Sequence, residues 1–360
     1  MNEYSFNKKH FVPVIICVFL AILFIKNAPL ASFYTKKGLE ACFLTIIPSL
    51  FPLMVVSDAL LELGFFEIIG RLQGNLGKKF FGISKDGFNA VLSGLILGFP
   101  VGARSLISLY DEGKISKNEL TRTLGFSGIP SFAFLTSAVG ASIFGSFKFG
   151  FFLYLSAIFS ALITGIVFKK GKSTTNEVIQ YKASIRKPLS KIITSAISAS
   201  ASATVILCAY VVFFSTVVEC LSNSTAIDET KKAIIGSFLE LSTGTLNSGV
   251  VGGSLGATIC GASIGWSGLS VHFQTMSLCD GRITKYNTYL LEKAMQGIIC
   301  GILSFLYAVT IGFPTNTAAD ISVFSKLYGI EYSAIMIVVF IFSFIYAVKH
   351  AIIKNKKSTL

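Results

Sequence analysis

The sequence predicts an all-α polytopic membrane protein. About eight transmembrane helices are expected, plus two re-entrant or broken-helix segments in two pseudo-repeats, since a span needs ~20 apolar residues. Three observations predict it. Of 360 residues, 52% are hydrophobic and 14% charged, with a mean hydropathy of +0.71, which excludes an ordinary soluble domain. Charged residues cluster between apolar runs, and two apolar stretches are dense in Gly, Pro and polar residues. The net charge of +13 sits in loops and tails. The positive-inside rule accounts for it without a nucleic-acid partner, and the lipid bilayer itself is the expected partner.

The N-terminal stretch leads through Lys8, Lys9 and His10 into an apolar run from Phe11 to Ile25. No small-x-small cleavage site follows, so a retained first helix is expected rather than a signal peptide. Residues 1–40 are read as an anchor helix and loop. The second span is Ala41–Phe66, kinked by Pro48 and Pro52. Residues 67–87 suit an interfacial amphipathic segment or a cytoplasmic loop. Phe88–Tyr110 is interrupted by Gly94, Gly98, Pro100, Gly102 and Arg104, a pattern for a broken helix. Glu119–Ser146 is broken at Gly125, Gly128 and Pro130, and Phe149–Phe168 is a plain span.

Residues 169–191 carry Lys169, Lys170, Lys172, Lys182, Arg186, Lys187 and Lys191 against one Glu177. This is the expected cytoplasmic linker between a first repeat, 41–168, and a second, 192–350, with a basic tail at 351–360. Ile192–Leu221 is a long span rich in Ser and Ala. Ala233–Ser277 exceeds one helix; it reads as a helix, a break near Thr243–Gly253, and a hairpin around Gly265–Gly268. Asn287–Gly312 and Tyr328–Lys349 complete the spans.

The interrupted segments resemble each other. Gly98-Phe99-Pro100 leads to Asp111-Glu112-Gly113-Lys114-Ile115, and Gly265-Trp266-Ser267 leads to Asp280-Gly281-Arg282-Ile283, with Gly128 and Gly297 following. Broken helices at matching positions of duplicated halves point to a transport site; two ordinary interfacial turns are the plainer alternative.

The stretch Ile264–Ser277 concentrates Ser267, Ser270, His272, Gln274 and Thr275 between glycines. Polar groups at membrane depth are costly unless paired or wetted. His272 could meet a carboxylate or relay a proton, or simply bond another helix. Gln274 suits a pyridine or base edge, or polar packing. Glu240 interrupts an apolar helix, where a carboxylate costs ~2.5–3.5 kcal/mol at the bilayer centre. Coupling-ion ligand, proton carrier, partner of Arg104 and a helix end among headgroups are its open roles. Ser242, Thr243 and Asn247 offer oxygens after it. Arg104 has a planar fork for a carboxylate; snorkelling or pairing with Asp111 is the alternative. Gly98, Pro100, Gly102, Pro130, Gly265 and Gly268 shape backbone.

No nucleophile elbow, phosphate loop, HExxH or acidic dyad is present, so neither an enzyme nor ATP-driven chemistry is expected. Seven cysteines without metal-ligand spacing imply no metal, cofactor or disulfide. The string Gly265-Trp266-Ser267-Gly268-Leu269-Ser270-Val271-His272-x-Gln274-x-x-Ser277 resembles the signature of YlbJ-type sporulation integral membrane proteins. These belong to the nucleoside-recognition, or Gate, domain superfamily. Ile47–Pro52, Gly98–Ala103, Pro130–Phe134 and Leu239–Gly244 agree in order, while Trp266 and Ser267 depart from the family pattern. The resemblance implies a multi-pass protein of the cell or forespore membrane, implicated in moving dipicolinate. The sequence reading is therefore a transporter or permease for a small anionic or nucleoside-like solute, with H+ or Na+ as coupling ion. Homo-oligomerisation stays open. Arg104, Glu240, Ser242, Thr243, Ser267, Ser270, His272 and Gln274 are the expected solute contacts. A non-transporting membrane scaffold for spore formation is the alternative, with an intramembrane enzyme a distant third.

Overall fold

A computed structural model describes residues 8–65, 75–169, 188–225, 227–283 and 286–312. Among these residues there are helices and no strands. The basic linker falls almost entirely outside them, as do the expected span Tyr328–Lys349 and the basic tail.

The first helix, α1 (Lys8–Lys26), turns sharply into α2 (Ala28–Ala41). The two meet at 98°, at Asn27, whose side chain and amide both bond the Leu23 carbonyl. Residues 28–40, expected to be loop, are thus helical. Pro29 lies in the first turn, where its missing N–H costs nothing. Gly38 lets the helix lie against Val212 and Ser215 of α8 (Leu189–Thr225), and Thr35 bonds Thr216. Tertiary contact therefore outweighs the polar Thr35-Lys36-Lys37 signal. A π-helical turn at Cys42–Ile46 joins α2 to α3 (Ile47–Glu62), a wider turn that accommodates the missing Pro48 amide.

The interrupted segments are broken where the glycines and prolines stand. Helix α4 (Lys85–Leu97) stops at Gly98 (φ 84°), and α5 (Val101–Asp111) starts after Pro100. Helix α6 (Lys117–Thr123) ends in a tight turn, Leu124–Phe126, and irregular backbone through Pro130 leads to a π-helical stretch, Phe134–Ile143. Then α7 (Phe147–Val167) is continuous. In the second half, α9 (Glu229–Leu239), α10 (Leu241–Val251), α11 (Gly253–Trp266) and α12 (Gly268–Cys279) follow one another with breaks at Glu240, Gly252 and Ser267. The break expected within Thr243–Gly253 is therefore two breaks flanking a short helix. Helix α13 (Tyr286–Ile311) is continuous.

Three described helices are long and apolar enough to cross a bilayer: Phe147–Val167, Leu189–Asn223 and Tyr286–Ile311. The bent pair α1–α2 brings this to four. Among the described residues, the other interrupted stretches, Phe88–Tyr110 and Ala233–Ser277, form short pieces. An 11-residue helix such as α5, α9 or α10 reaches about 16 Å at 1.5 Å per residue, half of a ~30 Å core.

The burial pattern is that of a membrane protein, apolar outside and polar within. Val205 (68% exposed), Ile298 (64%) and Phe159 (53%) face outward, whereas Ser160, Thr164, Ser200, Glu292, Lys293 and Gln296 are at most 1% exposed. Small residues let the elements close up. Gly261 of α11 lies against Cys300 and Ser304 of α13 and Gly301 of α13 against Thr258 and Ala262 of α11, and a side chain at Gly265 would run into the Gln296 carbonyl.

The breaks nest in pairs within each half. Phe99 donates its amide to the Ile129 carbonyl at 3.0 Å. Gly94 and Gly102 lie against each other, with the Ser127 carbonyl in the notch they form. Gly236 and Gly244, at the same spacing, also lie against each other. Gly128 packs on the Phe99 ring, and Gly268 (φ 76°) packs on the backbone of Glu240 and Leu241. These contacts match Gly94–Gly102 with Gly236–Gly244, and Phe126-Ser127-Gly128-Ile129 with Trp266-Ser267-Gly268-Leu269. The match of Gly128 to Gly297 is not reproduced in the backbone, because Gly297 lies inside the unbroken α13.

Candidate functional site

Breaking a helix inside protein strands carbonyl oxygens, and polar side chains must meet them. Here they come from other elements. His272 Nε2 lies 2.7 Å from the Trp266 carbonyl. A carbonyl only accepts, so Nε2 carries the hydrogen, and Nδ1 of the neutral ring faces the interior as an unpaired acceptor. Trp266 Nε1 donates to the Phe238 carbonyl at 3.0 Å, and the indole stacks on Phe238. On the first-half side, Lys293 Nζ donates to the Gly128 carbonyl at 2.8 Å and Gln296 Nε2 to the Gly125 carbonyl at 2.9 Å. Tyr154 donates to the Leu95 carbonyl at 3.0 Å.

Helix α13 is where the two halves meet. Its Tyr289 ring packs edge-on to His272 at 5.2 Å. One turn on, Lys293 sits over the Phe99 ring at 5.1 Å. Tyr289, Glu292, Lys293 and Gln296 fall on one buried helix face. Both interrupted segments therefore reach the same helix, one through the imidazole and one through the ammonium and amide.

The structure distributes the expected solute contacts unevenly. His272, Ser267 and Ser270 are at most 1% exposed and gather at the Ser267 break. Ser267 (φ 73°) donates to the Ile264 carbonyl, while the Ser270 hydroxyl has no hydrogen-bond partner. Gln274 is half-buried further along α12. Glu240 stands beside the same break, packed against Gly268. Its carboxylate accepts the amides of Ser242 (2.9 Å) and Thr243 (2.6 Å), capping α10. It is a helix cap whose hydrogen bonds run to Ser242 and Thr243 and not to Arg104.

Arg104 is elsewhere. Its Nη2 donates to Asp58 Oδ1 of α3 at 2.7 Å, and Ser200 of α8 donates to the other Asp58 oxygen, also at 2.7 Å. Asp111, the alternative partner for Arg104, pairs with Arg282 instead, at 2.8 Å. Among the backbone-shaping residues, Gly98 lies tight against Ser131, Gly102 against Ser127, Gly265 against Gln296 and Gly268 against Leu241. Pro100 and Pro130 flank the nested first-half breaks.

Sequence reasoning missed Glu292, Lys293 and Gln296. They lie in Asn287–Gly312, read as a plain span. The signal was there: a Glu-Lys pair and a Gln inside an apolar run are costly in lipid. An apolar cavity of about 560 Å³ lies apart from all of these, between α2 and α8, and includes Phe24, Thr35, Cys42, Cys208 and Val212 in its lining.

The chain is similar to the sporulation integral membrane protein YlbJ of Bacillus subtilis (strain 168), 23% identical over 319 residues, covering 77% of this chain and 78% of that protein. This supports the YlbJ-type relationship and, with the apolar helices, an integral membrane protein. No family model matches the chain. No solved structure matches it either.

Proposed function

We propose that this YlbJ-type membrane protein is a transporter or permease for a small anionic or nucleoside-like solute, with dipicolinate as the first candidate. One observation carries the reading: interrupted helices from both halves meet α13 behind an apolar outer surface, bringing His272 and Lys293 to one helix face. Irregular backbone at membrane depth is tolerated where protein covers it or where it lines a path for solute. Broken helices at matching places in two halves are the pattern of secondary transporters. The matched glycine pairs and the repeated aromatic-Ser-Gly-aliphatic break support two pseudo-repeats and the Gate-type reading. The full count of eight crossings belongs to this proposal as well, as do multi-pass placement in a forespore membrane and coupling to an ion.

His272 Nδ1 and Ser270 Oγ have unused hydrogen-bonding capacity and would contact the solute. The Lys293 ammonium would attract an anionic group across Phe99. The test is uptake of labelled dipicolinate, and separately of a labelled nucleoside, into liposomes carrying the full chain. Saturable uptake of either that drops at least tenfold in His272→Ala supports the reading. No flux of either, with the protein folded and partner binding disturbed by loop changes instead, replaces it with the scaffold.

A further inference from the structure

Glu292 differs from the other charged groups at the breaks, Glu240 and Lys293, because neither of its carboxylate oxygens has a hydrogen-bond partner, though the residue is 0% exposed. It fills the space left by Gly125, where any side chain would collide with the carboxylate. The Gly125 amide is near enough to be felt electrostatically but lies outside hydrogen-bond geometry. The charged neighbours are Lys293 on its own helix and Arg122 of α6, a cation shared with the buried Glu119 of α6, with the Tyr289 phenol a turn away. Of the other packed elements, α11 presents Cys260 and no charge, and α7 has no charge beyond Lys148 at its start.

A buried, unbonded carboxylate needs something to occupy it. Burial disfavours its charge and the two flanking cations favour it. A metal cation fits poorly. Hard cations want several oxygen ligands, no group of three or more His, Cys, Asp or Glu is assembled among the described residues, and two positive side chains stand beside the site. A proton needs one oxygen.

We propose that Glu292 is a reversible proton-binding site within the membrane domain, seated against Gly125 and flanked by Lys293 and Arg122. One proton adds to a carboxylate oxygen to give the neutral acid and leaves by the same bond. Its use in driving solute movement rests on the transport reading above; the protonation itself does not.

The test is infrared difference spectroscopy of the full chain in lipid nanodiscs, comparing alkaline with acid pH in H2O and D2O. We expect a protonated-carboxyl C=O band that grows as pH falls, shifts in D2O and is lost in Glu292→Gln. An unchanged band in Glu292→Gln overturns the proposal. So does loss of the wild-type band when Na+ replaces K+ at fixed pH, which would assign the site to a metal cation. Should Glu292→Gln not fold, Glu292→Asp retains an acid one methylene shorter. Its band must then move in frequency or midpoint, and an unshifted band overturns the proposal. The spectra need no solute, so absent flux with the band lost in Glu292→Gln would sink the transport reading alone.

Discussion

Glu240 offers the sharpest test of what a buried charge does here. The carboxylate accepts two backbone amides, at 2.9 and 2.6 Å, and is 1% exposed. Hydrogen bonds to a charged group contribute ~1.5–3 kcal/mol each, and an amide left buried without a partner costs ~1–3 kcal/mol. Ser242 is half-buried and water partly replaces its loss, so Glu240→Ala should cost about 3–5 kcal/mol. Glu240→Gln retains one acceptor oxygen and should cost about 1–3 kcal/mol. Glu240→Asp keeps a strong capping residue and should cost less than either. The assay is reversible unfolding in mixed detergent–SDS micelles. The single tryptophan reports it well, since Trp266 is bonded and stacked onto Phe238 at this break. Unfolding of Glu240→Ala within ~0.5 kcal/mol of wild type, together with abolished solute flux, would refute the capping argument and return Glu240 to the solute.

Gly265→Ala should destabilise by ~1–3 kcal/mol, since it forces α11 off the Gln296 carbonyl. Gly297→Ala, whose nearest contacts are 3.2–3.4 Å, should cost clearly less, and thermal unfolding of the two variants in detergent decides. A double-mutant cycle on Arg104→Ala and Asp58→Ala should give a coupling of about 0.5–3 kcal/mol; additive losses would mean the pair holds nothing. Asp228 caps α9, and the Lys231 backbone and side-chain bonds hold its carboxyl below the usual range. A depressed folded-state value means the stabilisation is present above the unfolded carboxylate pKa near ~3.9 and is lost as pH falls through the lower folded value. Replacing it with Ala should flatten the acid limb of stability measured against pH.

Much of the candidate site was legible as residue types, because charge and amide groups are conspicuous in an apolar chain. Arg104, Glu240 and His272 stood out for that reason, and the breaks at Gly98 and Ser267 followed from local backbone freedom. Glu292, Lys293 and Gln296 were passed over because they interrupt no helix. Their burial depends on which way α13 faces, and hydropathy averaged along a chain does not contain that.

The sequence by itself determined that the chain is helical, membrane-embedded and interrupted. These follow from transfer free energies and from the φ range of Gly and Pro, which act residue by residue. Only the tertiary structure decided partners. It gave Arg104 to Asp58, Asp111 to Arg282 and Glu240 to the amides of its own next helix. It also nested Gly94 with Gly102 and Gly236 with Gly244. Each of these requires two segments to approach within a few ångströms, and that approach is set by packing across the whole domain rather than by neighbours along the chain.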